Sequence, residues 1–283
     1  MRDKEITVII NTFKSEDKIY NCLNSIPQQT FIIVIENSNN TNFKKSLESK
    51  YSNVTCILAG ENLGYAKGNN LGLSKVKSRY ALILNPDTLL EKNTLSNFLS
   101  SAEKIKDFSI LGPAKQEEQA EIDLNPNERN IFEVNSLKGF AMFFNMKEFK
   151  DIGFFDENFF IYLEEIDLCK RLKKKNKKIY LDKSIKVHHF GGSSHNDAIN
   201  YQMELSRNWH WMWSTFYFNK KHYGYFISLF KVSRKLFSSL LKFLFFSIIF
   251  SRKKKEIYYQ RLSGLSNSIM GRKSWYRPNI LSN

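Results

Sequence analysis

The sequence has few cysteines and no long apolar run at its start, and each scarcity excludes a class of protein. Three cysteines occur in 283 residues, Cys22, Cys56 and Cys169, and none belongs to a Cys-x-x-Cys pair. This odd, scattered set argues against a disulfide framework and a zinc cluster, and it favours a reducing compartment. The first residues enter a strand-like run without the apolar stretch of a signal peptide, so we expect a cytoplasmic protein.

Acidic residues are almost absent from the C-terminal part of the chain. The net charge is +15, yet residues 219–283 hold 14 Lys and Arg against one acid, Glu256, which leaves residues 1–218 nearly neutral. Between residues 223 and 251 the longest uncharged stretch, 243–251, is far shorter than the ~20 residues that a spanning helix needs. Apolar residues with basic interruptions are typical of a helix lying on a membrane surface. A solvated basic helix, a helical hairpin packed on the core and a dimer contact are the alternatives.

The length and the alternation of segments predict an α/β domain with an appendage. The chain suits one catalytic domain of roughly 200–250 residues, placed at 1–218, followed by a helical basic tail at 219–283. Apolar, β-branched runs predict strands at 6–13, 31–38, 54–58, 80–87 and 108–111. The runs between them predict helices at 17–26, 43–50, 64–76 and 92–104. This alternation indicates a mostly parallel central sheet covered on both faces.

The pattern is less regular after residue 114. Residues 115–130 are polar and acidic and are predicted to form a loop. Strands are predicted at 135–145, 178–181 and 185–190, and a helix with a lysine-rich end at 161–175.

Polar side chains follow four of the predicted strands, at the edge where an open parallel sheet binds ligands. They are Asn11, Thr12, Glu36, Asn37, Ser38, the segment 61–70, Asn85 and Asp87. Their carboxylate and amide groups suit a base and a ribose, Gly64 and Gly68 allow close backbone approach, and Lys67 is placed to face a phosphate. A lone Asn or Asp after a strand is usually a turn or a helix cap. Four such ends in succession favour a ligand site.

Asp87 closes an apolar strand, where a charge needs a counterpart. A hard cation bound by few carboxylates and by phosphate oxygens would supply one, and it would neutralise charge on a leaving nucleoside diphosphate. His188 and His189 follow another predicted strand and precede two glycines. A single histidine is more often structural than a ligand, but a metal implied by Asp87 favours one of these two as a second ligand.

Three acids, Glu164, Glu165 and Asp167, lie within four residues beside aromatic residues. Acids are favoured in the first turn of any helix, so an ordinary helix start is the simpler interpretation. Apolar neighbours, however, raise the pKa of carboxyl groups in general toward the values that suit a general base. Such a base is what an acceptor hydroxyl needs before it attacks an anomeric carbon.

Together these segments resemble the family 2 glycosyltransferases, especially the rhamnosyltransferase-like group of bacterial surface-polysaccharide assembly. The resemblance covers about residues 5–218. It rests on the order and spacing of NTF at 11–13, ENS at 36–38, ENLGYAKGNN at 61–70, LNPDT at 84–88, KGFAMFF at 138–144, GFFDENFFIYLEEIDLCKRL at 153–172 and HHFGGSS at 188–194. It implies a GT-A fold, whose sheet binds a nucleoside-diphosphate sugar.

The resemblance also implies roles for individual residues. The donor side comprises Thr12, Glu36 and Asn62 at the nucleoside, Arg207 at the pyrophosphate, and Asn37, Gly64, Lys67, Asn69, Asn85 and Asp87. Asn85 and Asp87 stand in place of an Asp-x-Asp motif that binds Mg²⁺ or Mn²⁺, and the x-x-Gly-Gly-Ser that follows selects His188 as the histidine ligand. Glu165, the second acid of the Glu164–Glu165 pair, takes the place of the general base. The acceptor side comprises Gly139, Asp156 and Asp167.

The expected activity is that of an inverting glycosyltransferase in cell-surface polysaccharide synthesis. By resemblance the expected donor is dTDP-rhamnose, which supplies L-rhamnose, with a UDP-hexose donor as the alternative. The basic tail is expected to hold the enzyme peripherally on the inner face of the bacterial plasma membrane, so a lipid-linked saccharide is the expected acceptor. A nucleotidyltransferase is a weaker alternative, because residues 11–18 lack a glycine-rich, basic phosphate loop. A nucleic-acid partner is not expected, because residues 1–218 are almost neutral. Oligomerisation is left open.

Overall fold

The computed structural model describes residues 5–114, 130–191 and 197–278, which belong to two compact units. The first, called the sheet unit, comprises Met1–Phe155 and Glu165–Asn196. The second, called the helical unit, comprises Asp156–Glu164 and Asp197–Asn283. The loop predicted at 115–130 lies outside the described residues except for Asn130.

The sheet unit contains an eight-stranded sheet and a two-stranded one in its described part. The strands are β1 (Ile6–Thr12), β2 (Phe31–Glu36), β3 (Val54–Leu58), β4 (Tyr80–Leu84), β5 (Thr88–Leu90), β6 (Ile110–Pro113), β7 (Ile131–Glu133), β8 (Ala141–Asn145), β9 (Ile179–Asp182) and β10 (Val187–His189). The large sheet has the order β3–β2–β1–β4–β8–β6–β9–β7, and β5 pairs with β10. Strands β3, β2, β1 and β4 are parallel neighbours, whereas β8 runs antiparallel to both β4 and β6.

Helices cover this sheet and explain why its strands are apolar throughout. They are α1 (Ile19–Ser25), α2 (Thr41–Lys50), α3 (Gly64–Leu73), α4 (Thr94–Ile105) and α5 (Glu164–Lys174). All five residues of β4 are buried, as expected for a strand covered on both faces. Phe98 of α4 stacks on Phe143 of β8, with ring centroids 5.0 Å apart. The predicted mostly parallel central sheet flanked by helices is confirmed.

Two of the predicted elements, the helix at 161–175 and the strand at 135–145, differ clearly from the elements in the structure. The helix predicted at 161–175 begins only at Glu164, because Tyr162 and Leu163 have φ angles of 75° and 70°. Residues in this left-handed region cannot continue a right-handed helix. The strand predicted at 135–145 is confined to β8, and β7 forms before it as a short edge strand.

The three cysteines are buried and unpaired, as expected from their number and spacing. Burial raises the pKa of Cys22, Cys56 and Cys169 to about 12 in each case. Cys22 lies against the Thr88 hydroxyl, with 3.5 Å between sulfur and oxygen, directly beneath the turn that carries Asp87.

The helical unit consists mainly of α6 (Asn200–Tyr223), α7 (Tyr225–Ile248) and α8 (Arg252–Ile269). Small residues of α8 let it approach α6 closely. The indole N–H of Trp209 donates to Ser263 Oγ at 3.1 Å, and the Ser268 hydroxyl donates to the Trp213 carbonyl at 2.9 Å. The boundary expected after residue 218 stays a prediction; that position lies within α6, and the second stretch of the helical unit begins at Asp197.

The core of the helical unit joins all three helices. Met212 and Phe216 of α6 pack with Val232 of α7 and Leu265 of α8. The tail therefore forms a bundle of three helices rather than one isolated helix. Within the part of the chain that the structure describes, none of the helices combines the length and the apolar content required to cross a bilayer.

Asp156, expected on the acceptor side, is a structural anchor of the helical unit. Its Oδ2 accepts hydrogen bonds from Lys221 Nζ at 2.6 Å and from the Tyr217 hydroxyl at 3.0 Å. Burial opposes ionisation of this carboxyl, but the hydrogen bonds from Lys221 and Asn158 outweigh burial and hold its pKa below the usual value. Asp156 thus ties residues 156–158 to α6, and its acceptor-side assignment stays a prediction.

We predict that Gly264→Ala destabilises the helical unit. A Cβ on Gly264 would lie 2.1 Å from the backbone oxygen of Trp209, so α6 and α8 would have to move apart. In an isolated helix the same change stabilises by about 1 kcal/mol, whereas overpacking costs about 1–3 kcal/mol. A fall in Tm, measured by circular dichroism, therefore indicates that α6 and α8 are in close contact at Gly264. Ser266→Ala, at an exposed position of the same helix, is the control. A Tm of Gly264→Ala at or above that of the wild type would contradict the contact.

Candidate active site

The ends of β1 and β2 are joined by side-chain amides. Asn37 donates to the Thr12 carbonyl at 2.9 Å and to Asn11 Oδ1, and its own Oδ1 accepts from the Leu63 N–H at 3.0 Å. Asn11 also donates to the Gly64 carbonyl at 2.9 Å. The start of α3 is therefore held against the carboxyl ends of both strands, at the edge where the sequence predicts the donor site.

Two of the predicted nucleoside contacts, Thr12 and Glu36, lie beneath this edge rather than on it. Each is 1% exposed. Glu36 accepts backbone N–H groups with both oxygens, from Ser38 at 2.8 Å and from Asn40 at 2.6 Å. The Thr12 hydroxyl donates to the Ile35 carbonyl at 3.2 Å. These side chains shape the loop after β2, and a direct nucleoside contact through them is not supported by the structure.

The other donor-side predictions fall on α3 and its approach. Asn62 is half-buried and its Oδ1 accepts the Gly64 N–H at 3.1 Å. Lys67 is exposed, with its Nζ 3.8 Å from Glu61 Oε1. Asn69 is fully buried and donates to the Tyr65 carbonyl at 2.9 Å, so it belongs to the interior of the helix packing rather than to a ligand surface. Lys67 is thus the exposed cation of this set.

Gly68 is required where α3 crosses the end of β1. A Cβ at this position would lie 2.6–2.9 Å from the amide group of Asn11. Any larger residue would displace the amide that holds Gly64 and accepts from Asn37.

Asp87 lies in the turn between β4 and β5, and its neighbour is His189. The antiparallel pairing of β10 with β5 sets His189 opposite Thr88 and His188 opposite Leu89. Adjacent strand residues point to opposite faces. His189 Nε2 consequently lies 3.4 Å from Asp87 Oδ1 and 3.3 Å from Asn85 Nδ2, whereas His188 Nε2 lies 3.1 Å from Glu91 Oε1. This geometry favours His189 over His188, the histidine selected by resemblance, as the partner of Asp87.

The Asp87 carboxylate fits a cation. It is nearly fully buried, and its Oδ1 accepts no hydrogen bond from any described residue, because His189 approaches without hydrogen-bond geometry. A buried carboxylate oxygen without such a bond is costly unless a positive partner binds it. No group of three or more His, Cys, Asp or Glu side chains is gathered here or elsewhere in the described residues. Asp87 and His189 would therefore need ligand oxygens, such as those of a diphosphate, to complete a coordination shell.

Glu165 lies at a second cluster, with Gly139 and Tyr65. The Tyr65 hydroxyl donates to the Gly139 carbonyl. A Cβ on Gly139 would meet Tyr65 Oη at 3.1 Å and Glu165 Cβ at 3.8 Å, so only glycine leaves this approach open. Asn70 and Phe155 exchange two hydrogen bonds of 2.9 and 3.0 Å, which fix α3 to the chain after β8.

The acids of α5 differ in accessibility. Glu165 is half-buried, whereas Glu164 is 4% exposed and Asp167 is fully buried. Asp167 forms an ion pair of 2.9 Å with Arg171, which donates to the carbonyls of Ile152 and Phe154. Asp167 therefore orients the arginine that supports the preceding loop, and its acceptor-side assignment stays a prediction. Of the three acids, Glu165 is the one placed to meet a ligand.

The dipeptide Gly139–Phe140 connects the Asp87 cluster with the Glu165 cluster. The Phe140 ring stacks on His189 with centroids 4.8 Å apart and planes 7° apart, and its carbonyl accepts the Asn85 N–H at 2.9 Å. Gly139 lies beside Tyr65 and Glu165. Both clusters therefore border one short segment of the sheet unit.

Tyr65 and Phe140 complete this arrangement without having been singled out from the sequence, whereas His189 was one of the two histidines considered there. Tyr65 and Phe140 fall inside segments that carry the family resemblance, but aromatic residues are common in this chain and usually belong to a core. Only the pairing of β5 with β10 distinguishes His189 from His188.

Arg207 lies in the helical unit. It lines a surface cleft together with Tyr162, Glu204, Asn208 and Trp211. The Tyr162 and Trp211 rings meet edge to face, with centroids 5.5 Å apart. Burial raises the pKa of Tyr162 to about 12, although Arg207 opposes the shift. A pyrophosphate contact of Arg207 stays a prediction.

Comparison with known proteins agrees with this arrangement. The sequence matches the family described as Glycosyl transferase family 2 over residues 7–168, and the chain belongs to that family. The prediction of a glycosyltransferase is confirmed at this level.

Several curated relatives are glycosyltransferases of glycan assembly. The low-salt glycan biosynthesis hexosyltransferase Agl10 of Haloferax volcanii is 26% identical over 61% of this chain, and the match spans 62% of that relative, less than two thirds. Rhamnosyltransferase WbbL of Escherichia coli is 23% identical over 72% of this chain and 89% of its own length. The N-acetylglucosaminyl-diphospho-decaprenol L-rhamnosyltransferase of Mycobacterium tuberculosis is 20% identical over 60% and 70%, respectively.

Solved structures share the fold. A mannosyltransferase from Pyrobaculum calidifontis in complex with GDP-Man and Mn²⁺ aligns with a TM-score of 0.59 and 11% identity, over 95% of this chain and 88% of that one. Residues 1–349 of S. aureus TarS in complex with UDP-GlcNAc align with a TM-score of 0.50 and 14% identity, over 96% and 93%. At these identities the likeness establishes the fold alone, which is the predicted GT-A fold.

We predict that His189, and not His188, supports cation binding next to Asp87. His189→Gln should weaken Mn²⁺-dependent binding of a nucleoside diphosphate about 10–100-fold, because it removes the imidazole beside the buried carboxylate. His188→Gln should leave binding unchanged. Isothermal titration of GDP, UDP and dTDP with MnCl₂ measures both variants. Equal losses in the two variants, or a loss in His188→Gln alone, would contradict the assignment.

Proposed function

We propose that this chain is an inverting glycosyltransferase that transfers a sugar from a nucleoside-diphosphate sugar to a lipid-linked saccharide. The observation that carries the proposal is the segment Gly139–Phe140, which borders both the Asp87–His189 pair and Glu165. A diphosphate leaving group needs positive charge near it, and an attacking hydroxyl needs a base. The Asp87–His189 pair suits the binding of a cation, and Glu165 suits the role of the base.

The donor nucleotide binds at the carboxyl ends of β1 and β2. The loop after β2, shaped by Glu36, and the start of α3, held by Asn11 and Asn37, provide backbone groups along this edge. Lys67 supplies an exposed positive charge on α3. GDP-Man and UDP-GlcNAc in the two neighbouring structures support a nucleotide-sugar donor of this class.

Mg²⁺ or Mn²⁺ is the proposed cofactor, held by Asp87 and His189 together with the donor diphosphate. The buried Asp87 Oδ1, which accepts no hydrogen bond from a described residue, supports this, as does the Mn²⁺ of the Pyrobaculum neighbour. A bound cation stabilises the negative charge that develops on the diphosphate as it leaves. Phe140 keeps the His189 ring in place by stacking.

Glu165 is the proposed general base. Its carboxylate takes the proton of the acceptor hydroxyl, and the freed oxygen attacks the anomeric carbon of the donor. The bond from this carbon to the diphosphate oxygen breaks, and its electron pair leaves with the diphosphate. A single displacement of this kind inverts the anomeric configuration. Half-burial of Glu165, in contrast to the enclosed Glu164, supports the choice between the two acids.

L-Rhamnose is the first candidate sugar and a UDP-hexose the second. Two of the relatives are named as rhamnosyltransferases and one as a hexosyltransferase. The decaprenol-linked acceptor in the name of the Mycobacterium relative supports a lipid-diphosphate saccharide as acceptor. Such acceptors place the reaction in cell-surface polysaccharide synthesis, at the cytoplasmic face of the plasma membrane.

We expect Glu165→Gln to abolish transfer while donor binding persists. Loss of general base catalysis lowers rates by about 10²–10⁴-fold, and the neutral amide keeps the size of the side chain. A panel of nucleotide sugars with Mn²⁺ identifies the donor through release of nucleoside diphosphate, and dTDP-rhamnose is the expected hit. Glu164→Gln is the matched comparison. A larger loss in Glu164→Gln would move the role to that residue, and wild-type turnover by both variants would remove the base from the proposal.

We expect transfer to be lost both when Asp87, the proposed metal ligand, is replaced and when the metal is removed by chelation. Asp87→Asn keeps the shape but loses the charge of a buried ligand, so transfer should fall at least about 10²-fold at any Mn²⁺ concentration. EDTA should inactivate the wild type, with recovery on addition of excess Mn²⁺ or Mg²⁺. Asp151→Asn, at an exposed acid of the sheet unit, is the control. Full activity of Asp87→Asn in EDTA would show that the reaction needs no divalent cation.

A further inference from the structure

The larger apolar side chains of helix α7 lie on its outer face. Its inner face includes Ser228, Val232 and Ser239, which are buried against the rest of the helical unit. The opposite face, called the outer face, carries large apolar side chains, with exposed Ser233 and Arg234 among them. Its exposed apolar residues are Phe226, Phe230, Phe237, Leu241, Leu244 and Ile248.

The outer face is too apolar and too long to be an ordinary solvated surface. Phe226 and Phe230 are 83% and 82% exposed, and Phe250, in the turn after the helix, is 92% exposed. A helix of 24 residues is about 36 Å long. Contiguous exposed apolar surfaces of this extent mark interaction sites.

The charges around the outer face are all of one sign. Between residues 205 and 255 the sequence has no Asp or Glu. The basic residues of α7 are Lys231, Arg234, Lys235 and Lys242, and the next helix begins with Arg252, Lys253, Lys254 and Lys255. Several cations lie over aromatic rings, as Lys231 does over Tyr223 at 3.6 Å. The partner must therefore be both apolar and anionic.

We infer that the outer face of α7 binds the surface of an anionic phospholipid bilayer. Lipid tails accept the aromatic and aliphatic side chains, and the headgroups neutralise the lysines and arginines. A second copy of this chain fits less well, because an isologous contact through this face would bring uniformly basic helices together. The apolar residues would be buried about 5–10 Å into the boundary between headgroups and acyl chains.

This inference is independent of the donor sugar and of the transfer reaction. It refines the expectation of a membrane-associating basic tail, because it names one face of one helix. The three-helix bundle fixes that face on the outside, since Val232 packs with Met212, Phe216 and Leu265 on the other side.

Vesicle sedimentation with the full chain tests the inference. The protein is mixed with vesicles of phosphatidylcholine alone and of phosphatidylcholine with phosphatidylglycerol, without nucleotide sugar. We expect binding to the anionic vesicles, weaker binding to the neutral ones, and partial release by salt. The double variant Phe226→Ser/Phe230→Ser should bind at least about tenfold more weakly, because it removes apolar surface that would enter the bilayer.

The matched control is Phe31→Ser/Phe132→Ser, which removes two exposed phenylalanines of the sheet unit and should bind like the wild type. Circular dichroism and Tm verify that all variants fold. Absence of wild-type binding to anionic vesicles would overturn the inference, as would unchanged binding of the Phe226→Ser/Phe230→Ser variant. Light scattering tests the alternative that a second copy of this chain binds the outer face. A dimer that dissociates in this variant, without vesicle binding, would assign the outer face to a second copy.

Discussion

Stacking of Phe140 on His189, together with the hydrogen bond from Tyr65 to the Gly139 carbonyl, is the constraint on which the candidate site depends. Each interaction fixes one side of the same dipeptide. A Cβ on Gly139 would crowd the Tyr65 hydroxyl, at 3.1 Å. The flat ring of Phe140 matches the imidazole that lies parallel to it. The clusters that hold Glu165 and Asp87, the proposed base and the proposed cation ligand, therefore border one short piece of backbone.

Much of the fold could be predicted because its strands are continuously apolar. β4, with every residue buried, was predictable from composition alone, since such an apolar run is typical of a covered strand. The late start of α5 was not predictable, because the left-handed φ angles of Tyr162 and Leu163 have no signature in non-glycine residues. β7 was missed for a different reason: it is a three-residue edge strand that exists only through its pairing with β9.

The residues of the candidate site were likewise only partly predictable from the sequence. Asp87 and Glu165 could be predicted, because an acid after a buried strand and an acid beside aromatic residues each require an explanation. Choosing between His188 and His189 required the register of β10 against β5, which is a long-range property. Glu36, Asp156 and Asp167 look like ligand groups in the sequence, but backbone N–H groups or cations already bind them. Sequence patterns identify polar residues at strand ends, whereas only packing shows which of them are already satisfied.

The buried cysteines have a consequence for how the chain responds to its surroundings. A thiol whose pKa is raised to about 12 is almost never a thiolate near neutral pH, and the thiolate is the form that reacts with oxidants and disulfides. Cys22, beneath the Asp87 turn, is therefore expected to react slowly although it lies near the candidate site. We expect oxidants and alkylating reagents to modify the three thiols of the folded chain slowly near neutral pH.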